Sequence, residues 1–217
     1  MDYIGAVTYV ANDKNWLKKI GLGALMALLS FVLVGAWALT GWAMEAFRRV
    51  VSHAEEKLPD WDNLGGYIGQ GFKYFVVTLV WGLPMILIIT VLLMVGAFAA
   101  SGAENSGFAL VGTTLAIWLL AMVYGLVVGF LSLGAFAVIA QTDSLGQALN
   151  PANAWQVINR DLGKWALSYL VLILASAVLS LVGSALCGIG AFVATPWIYA
   201  TMGNLLGQTF VEAGREF

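Results

Sequence analysis

The chain reads as an all-α integral membrane protein, and three observations carry that reading. Hydrophobic residues make up 61% of its 217 positions and charged residues 10%, against roughly 45–50% and about 25% in ordinary globular chains. Four stretches carry no charge at all: 20–44, 74–103, 105–142 and 165–211. Each exceeds the ~20 mostly apolar residues that a helix needs to cross the hydrocarbon core, and the last is long enough for two. About five apolar helical runs are therefore expected, with no sign of the ~10-residue alternating strands of a membrane barrel. Soluble enzymes and disordered tails are excluded by the same composition, and a net charge of −2 argues for no nucleic-acid partner.

Taken in order, the N-terminal segment opens as an amphipathic helix, with Ile4, Val7 and Ala11 on one face, and ends in Asn15-Trp16-Leu17-Lys18-Lys19. An acid stands near the N-terminus where a secretory signal would carry lysines, so no signal is expected to be removed. A second amphipathic helix precedes the second run, with Leu64, Tyr67, Ile68, Phe72 and Phe75 on one side and Asn63, Gln70 and Lys73 on the other. Before it, Pro59, Asp60 and Asp62 suit helix capping. A third places Trp155, Ile158, Leu162 and Trp165 on one face. Its start is marked by Asn150 as N-cap and Pro151 at the first helical position. Trp16, Trp61, Trp155 and Trp165 stand at the junctions between these helices and the apolar runs, and are expected to anchor them at headgroup level. The pattern of interfacial helix followed by apolar hairpin suggests units at 3–57, 60–149 and 150–217 within one membrane domain. Turns are expected at 101–107 and near 184–190, and kinks at Pro84 and Pro196.

The lysines and arginines set the orientation. They fall at Lys14, Lys18, Lys19, Arg48, Arg49, Lys57, Lys73, Arg160, Lys164 and Arg215, and none falls in the turns at 101–107 or 184–190. A first run that dips in and returns as a hairpin, bending near Gly35, puts every one of them on one side. Its two halves would each be only about 18 Å long, short of the ~30 Å core. A single long helix through 20–44 crosses once and divides the basic residues. Both readings stand on the sequence, and both place the loops at 45–73 and 141–164 and the C-terminus in the cytoplasm.

No charged residue lies inside a run, which counts against a pump, a proton relay or a voltage sensor. Glu55, Glu56, Asp60 and Asp62 lack the alternating ligands and central glycine of a calcium loop. His53 is the one histidine, which leaves neither a multi-histidine metal site nor a Ser-His-Asp arrangement. Cys187 is the one cysteine and is accounted for as apolar filler. No catalytic, cofactor or metal residue is expected, and the chain reads as a non-enzyme. What remains is packing. Ala121, Gly125 and Gly129 recur every four residues, as do Ser176, Ser180, Ser184 and Gly188, and such faces let helices approach closely in lipid. They are expected to serve intrachain packing or a homo-oligomer interface, the first set being the choice for the latter. Thr201, Asn204 and Gln208 form a polar line that either lines a path or bonds to neighbouring helices.

Residues Asn12-Asp13-Lys14-Asn15-Trp16-Leu17-Lys18-Lys19-Ile20-Gly21 and Leu58-Pro59-Asp60-Trp61-Asp62-Asn63, with Gly71, Pro84 and the closing Gly203-Asn204-Leu205-Leu206-Gly207-Gln208, carry a resemblance. With them the chain resembles the uncharacterised prokaryotic membrane family called domain of unknown function 4013. The resemblance implies the cytoplasmic membrane of a bacterium or archaeon and brings no activity or cofactor. Two roles are expected of such a chain: an oligomeric membrane-organising or scaffold subunit in contact with lipid, or a channel or transporter subunit for a neutral solute.

Overall fold

The computed structural model describes residues 2–53, 57–101, 106–185 and 189–214. Among them the ordered elements are helices and no strand is present. Helix α1 (Tyr3–Asn12) starts where the Asp2 carboxylate accepts the Gly5 N–H at 2.7 Å, an N-cap bond. The chain then bends by 100° into α2 (Trp16–Leu29). A single 3₁₀ turn, Ser30–Val32, and Leu33 at φ 65° reverse it into α3 (Val34–Val51). The run 20–44 is therefore two helices, and the single continuous helix is not formed. Locally, the Ser30 hydroxyl donates to the Met26 carbonyl at 3.0 Å. Gly35 lies so close to that same carbonyl that any Cβ would collide with it.

Beyond the loop come α4 (Leu64–Ser101) and α5 (Ser106–Thr142), then the short α6 (Leu145–Leu149) and α7 (Pro151–Ile158), and finally α8 (Leu162–Ala185) and α9 (Ile189–Glu212). Consecutive helices pack as pairs, α2 with α3, α4 with α5 and α8 with α9, and α3 packs most extensively against α4 and α9, which joins the pairs. Glycines set the closest approaches between them. A Cβ on Gly41 or Gly71 would strike the backbone of Tyr67 or Trp37, locking α3 to α4, and one on Gly203 would strike the Ala43 carbonyl, locking α9 alongside α3. Phe47, Phe136 and Phe210 meet at ring distances of 6.0 and 5.5 Å, among buried Ile139, Trp165, Leu205 and Leu206.

The packed core occupies one end of the long pair. Ala135 to Ala140 at the end of α5 are buried, whereas the apolar side chains of Leu110 to Val127 and of Leu79 to Phe98 are largely uncovered by protein. With 38 and 37 residues, α4 and α5 are about 57 and 55 Å long. That is nearly twice the ~30 Å hydrocarbon core. Helices α4, α5 and α8 are long and apolar enough to cross a membrane, which marks the chain as a membrane protein. The run 165–211 forms two helices: α8 passes that measure, and α9, free of charge through Val211, carries Trp197, Tyr199, Asn204 and Gln208 and packs against α3 and α8.

Four expectations change in detail. The helix expected at 64–75 is not separate but the first turns of α4, since nothing between Phe75 and Val76 breaks the ladder. Its cap is Asn63, whose Oδ1 accepts the Gly66 N–H at 3.2 Å, rather than Asp60 or Asp62. The helix expected across 150–165 breaks at 159–161, although its start is as read: Asn150 accepts the Ala152 N–H at 3.0 Å with Pro151 at the first position. In α1 the side turned to the protein is Ala6, Tyr9 and Val10, and Ile4 is exposed.

Candidate functional site

At the end of the bundle opposite the Phe31–Leu33 tip, the bend between α1 and α2, the start of α2, α3, α9 and the segment 57–62 converge on a polar junction. Asp13 and Lys19 are buried there, with Nζ to Oδ2 at 2.9 Å. A buried ion pair holds only if its remaining donors and acceptors are satisfied, and these are. Asp13 accepts from the Asn15 N–H at 2.7 Å and the Leu58 N–H at 3.0 Å. Lys19 donates to the Leu58 carbonyl at 2.6 Å and pairs with Asp60 at 3.1 Å. Burial opposes the charged form of Asp13, but the Asn15 N–H, the Lys19 ammonium and the Leu58 N–H outweigh it and hold its carboxyl below the usual range.

Indole groups close the junction. Trp61 stacks on the buried Trp42 at 5.0 Å and donates its Nε1–H to the Lys19 carbonyl at 2.9 Å. Trp42 donates to the Pro59 carbonyl at 2.9 Å, and Tyr67 Oη–H to the Asp60 carbonyl at 2.8 Å. Trp16 meets Trp197 edge to face at 6.0 Å, and Trp197 donates to the Val7 carbonyl.

Beside the junction lies a cavity of about 400 Å³ between α1, α3 and α9, lined by Asp2, Tyr9, Asn12, Arg49, His53, Lys57, Asn204 and Gln208. Arg49 ties it to the junction, with Nη1 3.4 Å from the Leu58 carbonyl and Nε 3.6 Å from Glu45. Gln208 donates to Asn204 Oδ1 at 2.7 Å and accepts the Asp2 backbone N–H at 2.9 Å. Tyr9 is 5% exposed, and its hydroxyl has no hydrogen-bond partner among the described residues.

The structure brings together some residues singled out in the sequence and separates others. Asn204 and Gln208 reach the cavity, while Thr201 is buried with its hydroxyl unpartnered. On α5, Gly125 opens on empty space, but Gly129 faces the Tyr169 hydroxyl of α8. On α8, Gly183 lies against the backbone of Gly190 on α9; Ser180 and Ser184 are exposed, and Ser184 bonds back to Leu181. Gly188, like Glu55, Glu56, Cys187 and Arg215, lies outside the described residues. Trp16 and Trp61 are half-buried and Trp155 is exposed. Trp165 is fully buried in the core and so is no headgroup anchor. Among the described residues no group of three His, Cys, Asp or Glu side chains lies close enough to hold a metal.

Periodicity missed the Asp13–Lys19 pair, Trp42, Tyr9 and Arg49, because their partners lie on other helices. One signal did point here: Asp13, Lys19, Leu58, Pro59, Asp60 and Trp61, and the more distant Asn204 and Gln208, all stand in the motifs that carry the family resemblance. No curated protein and no solved structure matches the chain. The family match spans residues 21–188, which contain α2 from Gly21 onward, α3, the 57–62 strap and the long α4–α5 pair. The chain belongs to the family described as protein of unknown function, DUF4013.

Proposed function

We propose that the protein organises membrane rather than performing chemistry, acting as a non-enzymatic subunit that wedges one leaflet of a prokaryotic cytoplasmic membrane. The observation behind this reading is the hairpin of α2 and α3. Its legs of 14 and 18 residues are about 21 and 27 Å long, short of the ~30 Å core. Its tip is apolar and uncovered, with Phe31 at 86%, Val32 at 68% and Leu33 at 51% exposure. Its base holds Lys18, Lys19, Arg48 and Arg49. A hairpin of this kind enters a leaflet without leaving on the far side, so every basic residue of the chain stays on the cytoplasmic face. Together with α1 at the interface, it adds area to one leaflet and favours curvature. In this arrangement α4–α5 and α8–α9 cross, and the three pairs are the units of the chain.

Reconstitution into liposomes tests the reading. Wild-type protein is expected to narrow or tubulate vesicles, and Phe31→Ser with Leu33→Ser to insert without changing vesicle shape. Round vesicles with wild-type protein would refute it. The alternative, a subunit for passage of a neutral solute, is favoured by the Asn204–Gln208 pair at the cavity; saturable flux lost in Asn204→Leu would put it first.

A further inference from the structure

Helix α2 presents two unlike faces. Lys19, Ile20, Gly23 and Ala27 are buried against the protein. Lys18, Leu22, Leu25 and Leu29, spaced four, three and four residues apart, share the opposite face and are uncovered. A basic end and an apolar stripe thus lie on one side of one helix. The ammonium groups of Lys14 and Lys18 are exposed and have no ion pair or hydrogen bond among the described residues. That sets them apart from the other cations. Lys19, Arg48, Arg49, Lys73 and Lys164 each meet a carboxylate, and Lys57 and Arg160 are engaged as well. The nearby acids belong to the buried face. Asp13 and Asp60 both pair with Lys19, and the strap that carries Asp60 and Asp62 packs on that side, with Trp61 against Lys19 and Gly23. From Lys18 to Leu29 the stripe is about 17 Å long, close to half of the ~30 Å hydrocarbon core.

We infer that this face of α2 seats an anionic phospholipid of the cytoplasmic leaflet, with the headgroup phosphate against Lys14 and Lys18 and an acyl chain along Leu22, Leu25 and Leu29. The inference rests on the reading of α2–α3 as a hairpin within one leaflet, and adds which lipid that hairpin takes. Two unmatched ammonium groups complement a headgroup of net negative charge, whereas a zwitterionic headgroup brings its own cation to the same place. The apolar stem of a lysine lies over neighbouring apolar surface while its ammonium reaches the phosphate. The basic end stands at the hairpin base and the stripe runs toward the Phe31–Leu33 tip, so charge and leucines meet a lipid in the order of headgroup and chain.

The test uses the full chain with Cys187→Ala and Leu28→Cys, an exposed position beside the stripe, labelled with bimane in phosphatidylcholine nanodiscs. Doxyl-labelled phosphatidylglycerol or, separately, doxyl-labelled phosphatidylcholine is titrated in as quencher at low salt. Phosphatidylglycerol is expected to quench at a concentration about fivefold or more lower, the factor that one lysine near an anionic headgroup contributes. Lys14 and Lys18 bond to nothing in the protein, so Lys14→Gln with Lys18→Gln leaves the fold intact and brings the preference toward unity. Salt at about 1 M, where screening acts within ~3 Å, does the same. Lys73→Gln keeps the preference, because that lysine is paired with Asp143 on other helices. Equal quenching by the two lipids, or a preference that survives the double substitution, overturns the inference and leaves the hairpin in lipid. Quenching by neither lipid takes the hairpin out of the leaflet, and the inference falls with it.

Discussion

Lys19 shows what single residues contribute at the junction. Its ammonium ties α2 to Asp13, to the Leu58 carbonyl and to Asp60, so one side chain joins three segments. Lys19→Met leaves Asp13 buried without its counter-ion, and removing one partner of such a pair costs about 3–5 kcal/mol. A drop of that order is expected in chemical or thermal unfolding of the purified protein. Asp13 also sets an acid limit. Its folded carboxyl lies below the unfolded value, near 3.9, so its contribution is fully present above about pH 4 and lost as pH falls through the folded pKa. The unfolding midpoint should therefore fall on acidification below pH 4, and Asp13→Asn should flatten that part of the curve while lowering the midpoint at neutral pH.

Among elements, the glycines of α4 separate contact from open surface within one turn. Gly71 sits against the Trp37 backbone, whereas a Cβ on Gly69 would meet nothing within 4 Å. Gly71→Ala must push α4 off α3, at an overpacking cost of about 1–3 kcal/mol. Gly69→Ala has no such conflict and removes the helix-interior penalty of glycine, a gain of up to about 1 kcal/mol. Opposite shifts of the unfolding midpoint are expected, and equal shifts would show that α3 and α4 do not approach as described. The glycines of α5 divide in the same way. Gly129 is taken up by Tyr169, while Gly125 stands beside an apolar groove formed with Gly82 and Met85 of α4. If copies of the chain associate through this face, Gly125→Leu lowers the oligomeric mass in nanodiscs, and Gly129→Leu acts instead on the stability of the monomer.

For the whole molecule, the wedge reading fixes which residues share a side. In a Cys187→Ala background, cysteines at Asn15, Asn63 and Asn153 should resist an impermeant thiol reagent in intact cells, and one at Ser106 should react. Asn15 is the informative position. A hairpin of α2 and α3 keeps it with Asn63, whereas a crossing of the first run puts them on opposite sides. Labelling of Asn15 from outside, with Asn63 protected, would remove the wedge and leave the junction and the cavity as described.

The sequence by itself determined that this is a helical membrane protein, because long charge-free runs have no other stable setting than lipid. It also determined where helices start at Asn150 and Pro151, a local signal that needs no partner. It left open whether 20–44 is one helix or two, since the reversal at Leu33 rests on Gly35 meeting the Met26 carbonyl across the turn, a contact between chain segments. Periodicity identified apolar faces but not what covers them: in lipid a helix can be apolar all round. Only the packing showed that Trp165 is core, that Ile4 is exposed and that Gly183 rather than Ser184 meets α9. The tertiary structure alone decided the junction. Asp13, Lys19, Leu58 and Asp60 are polar or loop residues with no period to read, and they form one buried network because α2, α3 and the 57–62 strap fold onto a single point.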